Sequence, residues 1–491
     1  MGLAWLTRGL GRRMPETQGY AALPTDSDEK PVETACTPWL SHLTYLLPSF
    51  LDSSTDVSGR RASKTAWLDG LRGIAAFIVV WHHSSLVYFP WSIHDAWTPD
   101  SGLFIQLPIV RLVLAGIPAV CVFFVISGYA ISLRLLRLSH LGRPADFTDA
   151  FSSSLFRRHP RLFMPAAFVM LFTALMSYMG AFPTEAWSEH VAIATRVPPC
   201  ADTLLDQLLD WGRRASELAN PLRDTVHSRD VNPYDPNLWT LPVEFGCSML
   251  VFALLAATYR FRPFVRMGLV FALVLFCIAR AEQNVFLFLG GMLLADIRTY
   301  LSLRDDATPP QLPVSSEGAP TRKCSLAKPL ALIAAFVSCL YVLSIPQQSK
   351  GADFAPGYTT LSSLIPEVYH SSYRSDYFWA PLSSLLLVAT LDYAPFLQRI
   401  FTSRLAQYLG DISFALYLVH GPLLWSYGAW LAPRLIPTEE GISAWAYALG
   451  VVLCYLCFWP VAVWVADLVM RVVDGRSVAV ARGVYNKLAK S

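Results

Sequence analysis

Long apolar runs are the feature of this sequence that most restricts its fold. A helix of about 20 apolar residues matches the thickness of the hydrocarbon core of a bilayer. Ten such runs lie along the chain, at residues 67–88, 112–134, 162–182, 238–259, 264–281, 284–299, 328–345, 377–393, 405–428 and 443–467. The composition agrees with these runs, because 54% of the residues are hydrophobic and only 15% are charged, which is atypical of a soluble domain. We therefore predict an all-α, polytopic membrane protein with about ten transmembrane helices.

The apolar runs divide the chain into three parts. We predict a largely disordered cytoplasmic tail over 1–66, a membrane-embedded domain over 67–470 and a short basic cytoplasmic tail over 471–491. Within the membrane domain, 183–237 is predicted to be an extracytoplasmic loop and 300–327 a cytoplasmic loop. Alternate loops are rich in Lys and Arg, and such loops are retained in the cytoplasm, so we expect both termini there. Either the plasma membrane or an endomembrane fits this pattern. The net charge of +3, with no clustered basic face, gives no reason to expect a nucleic-acid partner.

The first predicted membrane helix carries four ionisable residues, which are Asp69, Arg72, His82 and His83. Ionisable side chains inside a membrane are costly, so they indicate a functional site by default. Asp69 lies one turn before Arg72 and is expected to pair with it. That pair is either part of a site or an ordinary salt bridge at the end of a helix. A histidine deep in a span, as His83 is, favours a functional role, with His82 beside it in a supporting one.

Arg72 and His83 are expected to share one face of this helix. The two residues are eleven positions apart, which corresponds to three turns plus about 20°. Ala76, Val79 and Val80 lie between them and are mostly small. The pattern therefore predicts a groove about 16 Å long from the arginine to the histidine.

Two further ionisable residues, Glu244 and His420, fall inside predicted spans. At 1.5 Å per residue, His83 and His420 lie roughly 22–24 Å from the cytoplasmic ends of their helices, and Glu244 lies roughly 9 Å from its external end. All three then fall in the outer third of a hydrocarbon core about 30 Å thick. A carboxylate and two imidazoles at one depth would suit a proton-transfer site, with Glu244 orienting or charge-balancing His83.

An arginine cluster is predicted at the cytoplasmic mouth of the third membrane helix, formed by Arg157, Arg158 and Arg161. The retention of positive charge in the cytoplasm explains part of this cluster. Alternatively, guanidinium groups at a helix start, beside Arg72, suit the phosphates of an anionic donor such as a coenzyme A thioester.

Several motifs, in their order along the chain, resemble the acyltransferase 3 family of integral membrane acyltransferases, in its mostly fungal branch. The resemblance covers about residues 65–470. The motifs are Trp67-Leu-Asp-Gly-Leu-Arg-Gly-Ile-Ala-Ala with His83, Phe123-Phe-Val-Ile-Ser-Gly-Tyr, Arg-Arg-x-x-Arg at 157–161, Trp239-Thr-Leu-Pro-Val-Glu-Phe and Ile412-Ser-Phe-Ala-Leu-Tyr-Leu-Val-His-Gly-Pro. The resemblance implies transfer of an acyl group, commonly acetyl, from a coenzyme A thioester to a hydroxyl of a carbohydrate, glycan or small metabolite.

The same resemblance implies roles for individual residues. The expected catalytic set is Arg72, His83, Glu244 and His420. The expected donor-binding set is Arg158 and Arg161, to which we add the neighbouring Arg157, while Asp69 and His82 are supporting. His83 would either deprotonate the acceptor hydroxyl or accept the acyl group before passing it on. We expect no metal site and no bound cofactor, and the expected partners are membrane lipid, the acyl-CoA co-substrate and the acceptor.

A transporter or flippase is the alternative from another functional class. Buried Arg, His and Glu would then mark a substrate path without covalent chemistry. The sequence shows no clear inverted repeats and no paired broken helices, which disfavours a secondary transporter.

Overall fold

The computed structural model describes residues 48–49, 64–100, 102–222, 231–307, 326–370, 374–438 and 442–489. The predicted 1–66 tail lies almost wholly outside these residues, as does most of the predicted 300–327 loop. Throughout the described ranges the regular elements are helices, and extended pairing is limited to one isolated bridge between Pro90 and Val191. The all-α prediction is confirmed.

The described part of the chain contains fifteen α-helices, and each of the ten predicted spans overlaps one of them. They are α1 (Ala66–Tyr88), α2 (Gly116–His140), α3 (Pro144–Tyr178), α4 (Leu204–Leu218), α5 (Thr240–Thr258), α6 (Pro263–Ala279), α7 (Gln283–Ala307), α8 (Ala327–Leu343), α9 (Thr359–Ser363), α10 (Trp379–Asp392), α11 (Pro395–Phe401), α12 (Arg404–Leu423), α13 (Ala429–Leu435), α14 (Ala444–Val469) and α15 (Gly475–Leu488).

Five of the described helical segments are individually long and apolar enough to cross a membrane. They are Gly116–His140, Pro144–Tyr178, Pro236–Thr258, Gln283–Asp306 and Ala444–Leu488. A sixth candidate joins Arg374–Asp392 to Pro395–Phe401 across a bend of 110°. The protein is therefore polytopic, and the count of about ten spans stays a prediction.

Local sequence signals set several of the helix ends. Ser403 caps α12 by accepting a hydrogen bond from the backbone N–H of Ala406, and Ser443 caps α14 in the same way. Proline occupies the first position of α3, where its missing N–H is no loss. These caps supply partners for backbone groups that a helix end leaves unpaired.

The predicted start of the third membrane helix at residue 162 was wrong. Helix α3 begins at Pro144 and runs for 35 residues, with Pro160 and Pro165 inside it. Hydropathy marks where a helix becomes apolar, whereas the polar first half of α3 is also helical. The arginine cluster at 157–161 therefore lies well inside α3 instead of at its mouth.

Helices also lie within three segments that were predicted to be loops or a tail outside the membrane. Helix α7 continues into the predicted 300–327 loop, and α4 lies within the predicted 183–237 loop. Helix α14 passes through a π-helical segment, Met470–Asp474, into α15, so the predicted 471–491 tail is helical as far as Leu488.

Helices α1 and α12 pack with their backbones in close contact. A Cβ atom on Gly73 would overlap the backbone nitrogen of Gly410, and one on Gly410 would overlap the carbonyl of Asp69. Small residues at a membrane-helix interface allow this approach and so increase van der Waals contact. The α1–α12 interface brings two predicted site histidines together.

Candidate active site

His83 and His420 meet where α1 packs on α12. His83 Nδ1 lies 2.8 Å from His420 Nε2, a hydrogen bond between residues 337 positions apart in the chain. His420 is fully buried, whereas His83 is partly exposed. The sequence predicted both residues and a common depth, but it did not predict their direct contact.

The second ring nitrogen of His420 fixes which atom of the pair carries each proton. His420 Nδ1 lies 2.6 Å from the backbone carbonyl of Tyr417. A carbonyl only accepts, so His420 Nδ1 must donate, and in the neutral ring its Nε2 is then a bare acceptor. His83 Nδ1 must therefore donate to it. The neutral pair leaves the basic lone pair of His83 on Nε2, which makes no hydrogen bond within the described part of the chain.

Arg72 holds the other end of the α1–α12 interface. Its Nε donates to the Ser413 hydroxyl at 2.9 Å and its Nη2 to the Gly410 carbonyl at 2.9 Å. Asp69 lies 3.3 Å from Arg72, so the predicted pair is confirmed. Both side chains are at least a third exposed, and such an ion pair contributes little to stability by itself.

The predicted groove between Arg72 and His83 is filled in the structure. Ala76, Val79 and Val80 are buried to 1%, 2% and 0% exposure, respectively. The groove prediction was wrong because the small side chains on this face of α1 admit α12 and leave no open channel.

Glu244 pairs with Arg158. Its carboxylate accepts from Arg158 Nη2 at 2.7 Å and from the Ser127 hydroxyl at 3.1 Å, while Arg158 Nε donates to the Ser248 hydroxyl at 3.2 Å. Glu244 therefore does not orient His83 by direct contact, because His420 holds His83 Nδ1, and the expectation that Glu244 charge-balances His83 stays a prediction. Glu244 was predicted to lie in the outer third of the membrane, and Arg158 at its cytoplasmic face. The two side chains are 2.7 Å apart, so these two predicted depths cannot both be correct.

Tyr417 joins α12 to the start of α5, the helix that carries Glu244. Its hydroxyl lies 2.6 Å from the Thr240 hydroxyl and donates to the Asn237 carbonyl, while its own backbone carbonyl accepts from His420. Thr240 lies one turn before Glu244 at the start of α5. Sequence reasoning missed Tyr417, and its position three residues before His420, one helical turn away, was the available signal.

The remaining predicted arginines differ in their exposure. Arg161 is exposed, whereas Arg157 is partly buried and its Nε donates to the Ser153 carbonyl at 3.2 Å. Arg161 and Arg72 both interact electrostatically with the carboxylate of Asp474, of which Oδ1 is buried without a hydrogen-bond partner among the described residues. The expected convergence of Arg161 and Arg72 on one region is therefore supported.

His82 belongs to a second histidine group beyond His83. Its Nδ1 donates to the Leu114 carbonyl at 2.7 Å, and its ring lies 5.2 Å from that of His94. Both rings and Arg111 line a cavity of about 40 Å³, large enough for about one water molecule. Burial lowers the pKa of His94 to about 3, and His82 and Arg111 add to the shift, so His94 is neutral at physiological pH. Sequence reasoning missed His94.

Among the described residues, no three His, Cys, Asp or Glu side chains lie close enough together to hold a metal ion.

Comparison with known proteins places the chain in a family. The family described as an acyltransferase domain matches residues 65–464. The chain is 38% identical over 460 residues to the O-acetyltransferase PaAT-1 of Phomopsis amygdali, covering 92% of this chain and 90% of the relative. Acyltransferase R4 of a Phoma species is 27% identical over 81% of this chain and 90% of its own length. Acyltransferase clz18 of Cochliobolus lunatus is 25% identical over 79% and 89%, respectively.

No solved structure matches the chain. A match to an enzyme family over most of the sequence decides against the transporter or flippase alternative. The chain belongs to the acyltransferase 3 family of integral membrane O-acyltransferases.

Proposed function

We propose that the protein transfers an acetyl group from acetyl-CoA to a hydroxyl of a carbohydrate, glycan or small metabolite. The observation that carries this proposal is the His83–His420 pair, which leaves the basic nitrogen of a partly exposed imidazole free. The O-acetyltransferase PaAT-1, identical at 38% of positions, supports acetyl as the group transferred.

In the proposed step, His83 acts as the general base. Its Nε2 takes the proton of the acceptor hydroxyl while the hydroxyl oxygen attacks the thioester carbonyl carbon. The C–S bond then breaks, and the proton on Nε2 passes to the departing sulfur, which leaves as the coenzyme A thiol. The products are an acetate ester and free coenzyme A, so no further reactant is required.

His420 acts as the positioning residue in this step. Its bare Nε2 accepts from His83 Nδ1, which keeps the lone pair of His83 on Nε2 and holds the ring in one orientation. When His83 gains a proton, His420 remains neutral and its lone pair stabilises the imidazolium.

The donor is proposed to bind at the cytoplasmic end of α1, with its phosphates on Arg161 and Arg72 and with Arg157 and Arg158 nearby. Support comes from the exposure of Arg161 and from the approach of both Arg161 and Arg72 to one carboxylate. Glu244 is proposed to act indirectly, by holding the Arg158 side chain in place. Both termini are proposed to lie in the cytoplasm, on the side from which the donor enters.

The test uses purified full-length protein and acetyl-CoA labelled in the acetyl group, without an acceptor. Wild type should hydrolyse the thioester slowly, and His83→Ala should lose about 10²–10⁴-fold of that rate. His190→Ala, at an exposed position, is the matched control and should retain it. Label that stays on wild type after rapid denaturation at neutral pH, that is lost on brief acid treatment and that is absent from His83→Ala would show an acyl-histidine intermediate instead of direct transfer. Equal turnover by wild type and His83→Ala would contradict the proposal.

A further inference from the structure

A buried carboxylate oxygen without a partner lies beside the histidine pair. Asp235 is 2% exposed and immediately precedes the span Pro236–Thr258. Its Oδ1 caps the short helix that follows by accepting from the backbone N–H of Asn237 at 2.9 Å. Its Oδ2 makes no hydrogen bond within the described residues. A buried acceptor in this state costs about 1–3 kcal/mol, so its position calls for an explanation.

An unpartnered donor accompanies this acceptor. Trp425 is 5% exposed, and its indole Nε1 has no hydrogen-bond partner among the described residues. The guanidinium carbon of Arg196 lies 5.9 Å from the centre of the Trp425 ring, and the same guanidinium interacts electrostatically with Asp235. Arg196 therefore brings a cation close to both unpartnered groups.

Asp235 and Trp425 lie beside the chain segment that follows His420, the proposed positioning residue. Gly421 directly follows His420, and a Cβ atom on it would lie 2.7 Å from Asp235 Oδ1 and 2.8 Å from Oδ2. Trp425 follows one turn later along the same chain segment. The absence of a side chain at Gly421 is thus what allows the Asp235 carboxylate to lie against the chain next to His420.

We propose that Asp235, Arg196 and Trp425 form a subsite that binds a second hydroxyl of the acceptor, so that the acceptor is a polyol such as a carbohydrate. A hydroxyl group is both a donor and an acceptor. It donates to Asp235 Oδ2 and accepts from the Trp425 N–H or the Arg196 guanidinium, which satisfies groups that are otherwise unpaired. This inference rests on the proposed function, and it specifies the substrate class for the same site.

Charge at the subsite is consistent with hydroxyl recognition. Burial raises the pKa of Asp235 to about 7, and this shift is opposed by the backbone N–H of Asn237, by Arg196 and by the side-chain amide of Asn237. The carboxylate therefore has an ionised fraction at neutral pH, and hydrogen bonds to an ionised acceptor are roughly twice as strong as neutral ones.

Capping of the short helix is the alternative explanation for the buried Asp235 carboxylate. One substitution separates this capping role from the binding of an acceptor hydroxyl. Asp235→Asn retains an oxygen that caps the helix, because Asn is as good an N-cap as Asp, but it removes the carboxylate charge. Trp425→Phe retains a ring beneath Arg196 and removes only the N–H. Thermal unfolding of each variant shows whether it is folded.

The experiment compares two acceptor probes, methyl α-D-glucopyranoside with several hydroxyls and cyclohexanol with one. Full-length protein receives labelled acetyl-CoA, and the ratio of acetylated glucoside to cyclohexyl acetate is measured. Wild type should favour the glucoside. Asp235→Asn should lower the ratio about tenfold or more, and Trp425→Phe should lower it severalfold. The exposed Asp202→Asn variant should match wild type.

The outcomes separate this inference from the proposed function. If wild type turns over acetyl-CoA in a His83-dependent way but does not prefer the glucoside, the subsite is wrong and the proposed function stands. A ratio that is unchanged in both Asp235→Asn and Trp425→Phe also overturns the subsite. If wild type shows no His83-dependent donor turnover, the proposed function fails and the inference fails with it.

Discussion

Substitution of His420 tests whether this residue positions His83 or itself transfers a proton. His420→Ala removes the acceptor for the proton on His83 Nδ1 and so leaves a buried donor unpaired. His420→Gln places an amide oxygen close to the former Nε2 position, where it can accept the same hydrogen bond. A positioning role therefore predicts that glutamine retains much of the activity and that alanine does not.

The expected magnitude follows from the 2.8 Å hydrogen bond. An unsatisfied buried donor costs about 1–3 kcal/mol, and that loss in the transition state corresponds to a roughly 5- to 150-fold lower rate. His420→Ala should fall in this range, and His420→Gln should stay within about tenfold of wild type. His420 is fully buried, so both variants are first compared by thermal unfolding.

The assay is release of coenzyme A from acetyl-CoA by purified protein, with and without methyl α-D-glucopyranoside. The exposed His190→Ala variant serves as the control for histidine removal. If His420→Gln and His420→Ala, both folded, lose activity equally, the positioning argument is refuted and His420 itself transfers a proton. If neither variant loses activity, the contact with His83 has no catalytic role.

Three further predictions concern stability, each measured by thermal or denaturant unfolding. Glu244→Gln should lower the free energy of unfolding by about 2 kcal/mol, which lies between the values for exposed and buried ion pairs. The double variant Glu244→Gln/Arg158→Met should recover part of this loss. If the losses of the two single variants simply add in the double variant, the pairing is contradicted. Gly410→Val should strongly destabilise the fold because its side chain meets the α1 backbone, whereas Gly212→Ala, in α4 with open space around it, should stabilise by up to about 1 kcal/mol. Burial raises the pKa of Asp235 from 3.8 to about 7, so the folded protein binds a proton that the unfolded chain has released, and wild-type stability falls as pH rises between those values. The free energy of unfolding of Asp235→Asn should therefore rise relative to that of wild type from pH 5 to pH 8, by at most roughly 3 kcal/mol, and a difference that stays constant over this range would refute the shift.

The sequence located helices better than it located their ends. Helix α1 was predicted over 67–88 and is observed over Ala66–Tyr88, because its apolar residues span its whole length. Helix α3 begins 18 residues before the predicted 162. The prediction missed this part of α3 because its first half is polar and carries no hydropathy signal. Hydropathy reports contact with lipid, and a helix that continues into the aqueous region gives no such signal.

The sequence singled out candidate site residues but not the contacts that they make. Ionisable side chains stand out in apolar runs, which identified His83, His420 and Glu244 individually. Their pairing depends on how α1, α5 and α12 pack, and depth along a helix does not specify rotation about it. The expected partner of His83 was Glu244, whereas the structure gives it His420 and gives Glu244 the Arg158 side chain.

The α1–α12 interface constrains the shape of the donor. Arg72 bonds α12 at one end of the interface and His83 bonds it at the other, so eleven residues of rigid helix, about 16 Å, separate the proposed phosphate ligand from the proposed base. A donor that contacts both must carry its anionic group that far from its reacting carbonyl. A long thioester arm ending in phosphates meets this requirement, whereas a small acyl phosphate does not. Because Val80 and its neighbours on this face are buried by α12, the arm must lie beside the interface instead of within it.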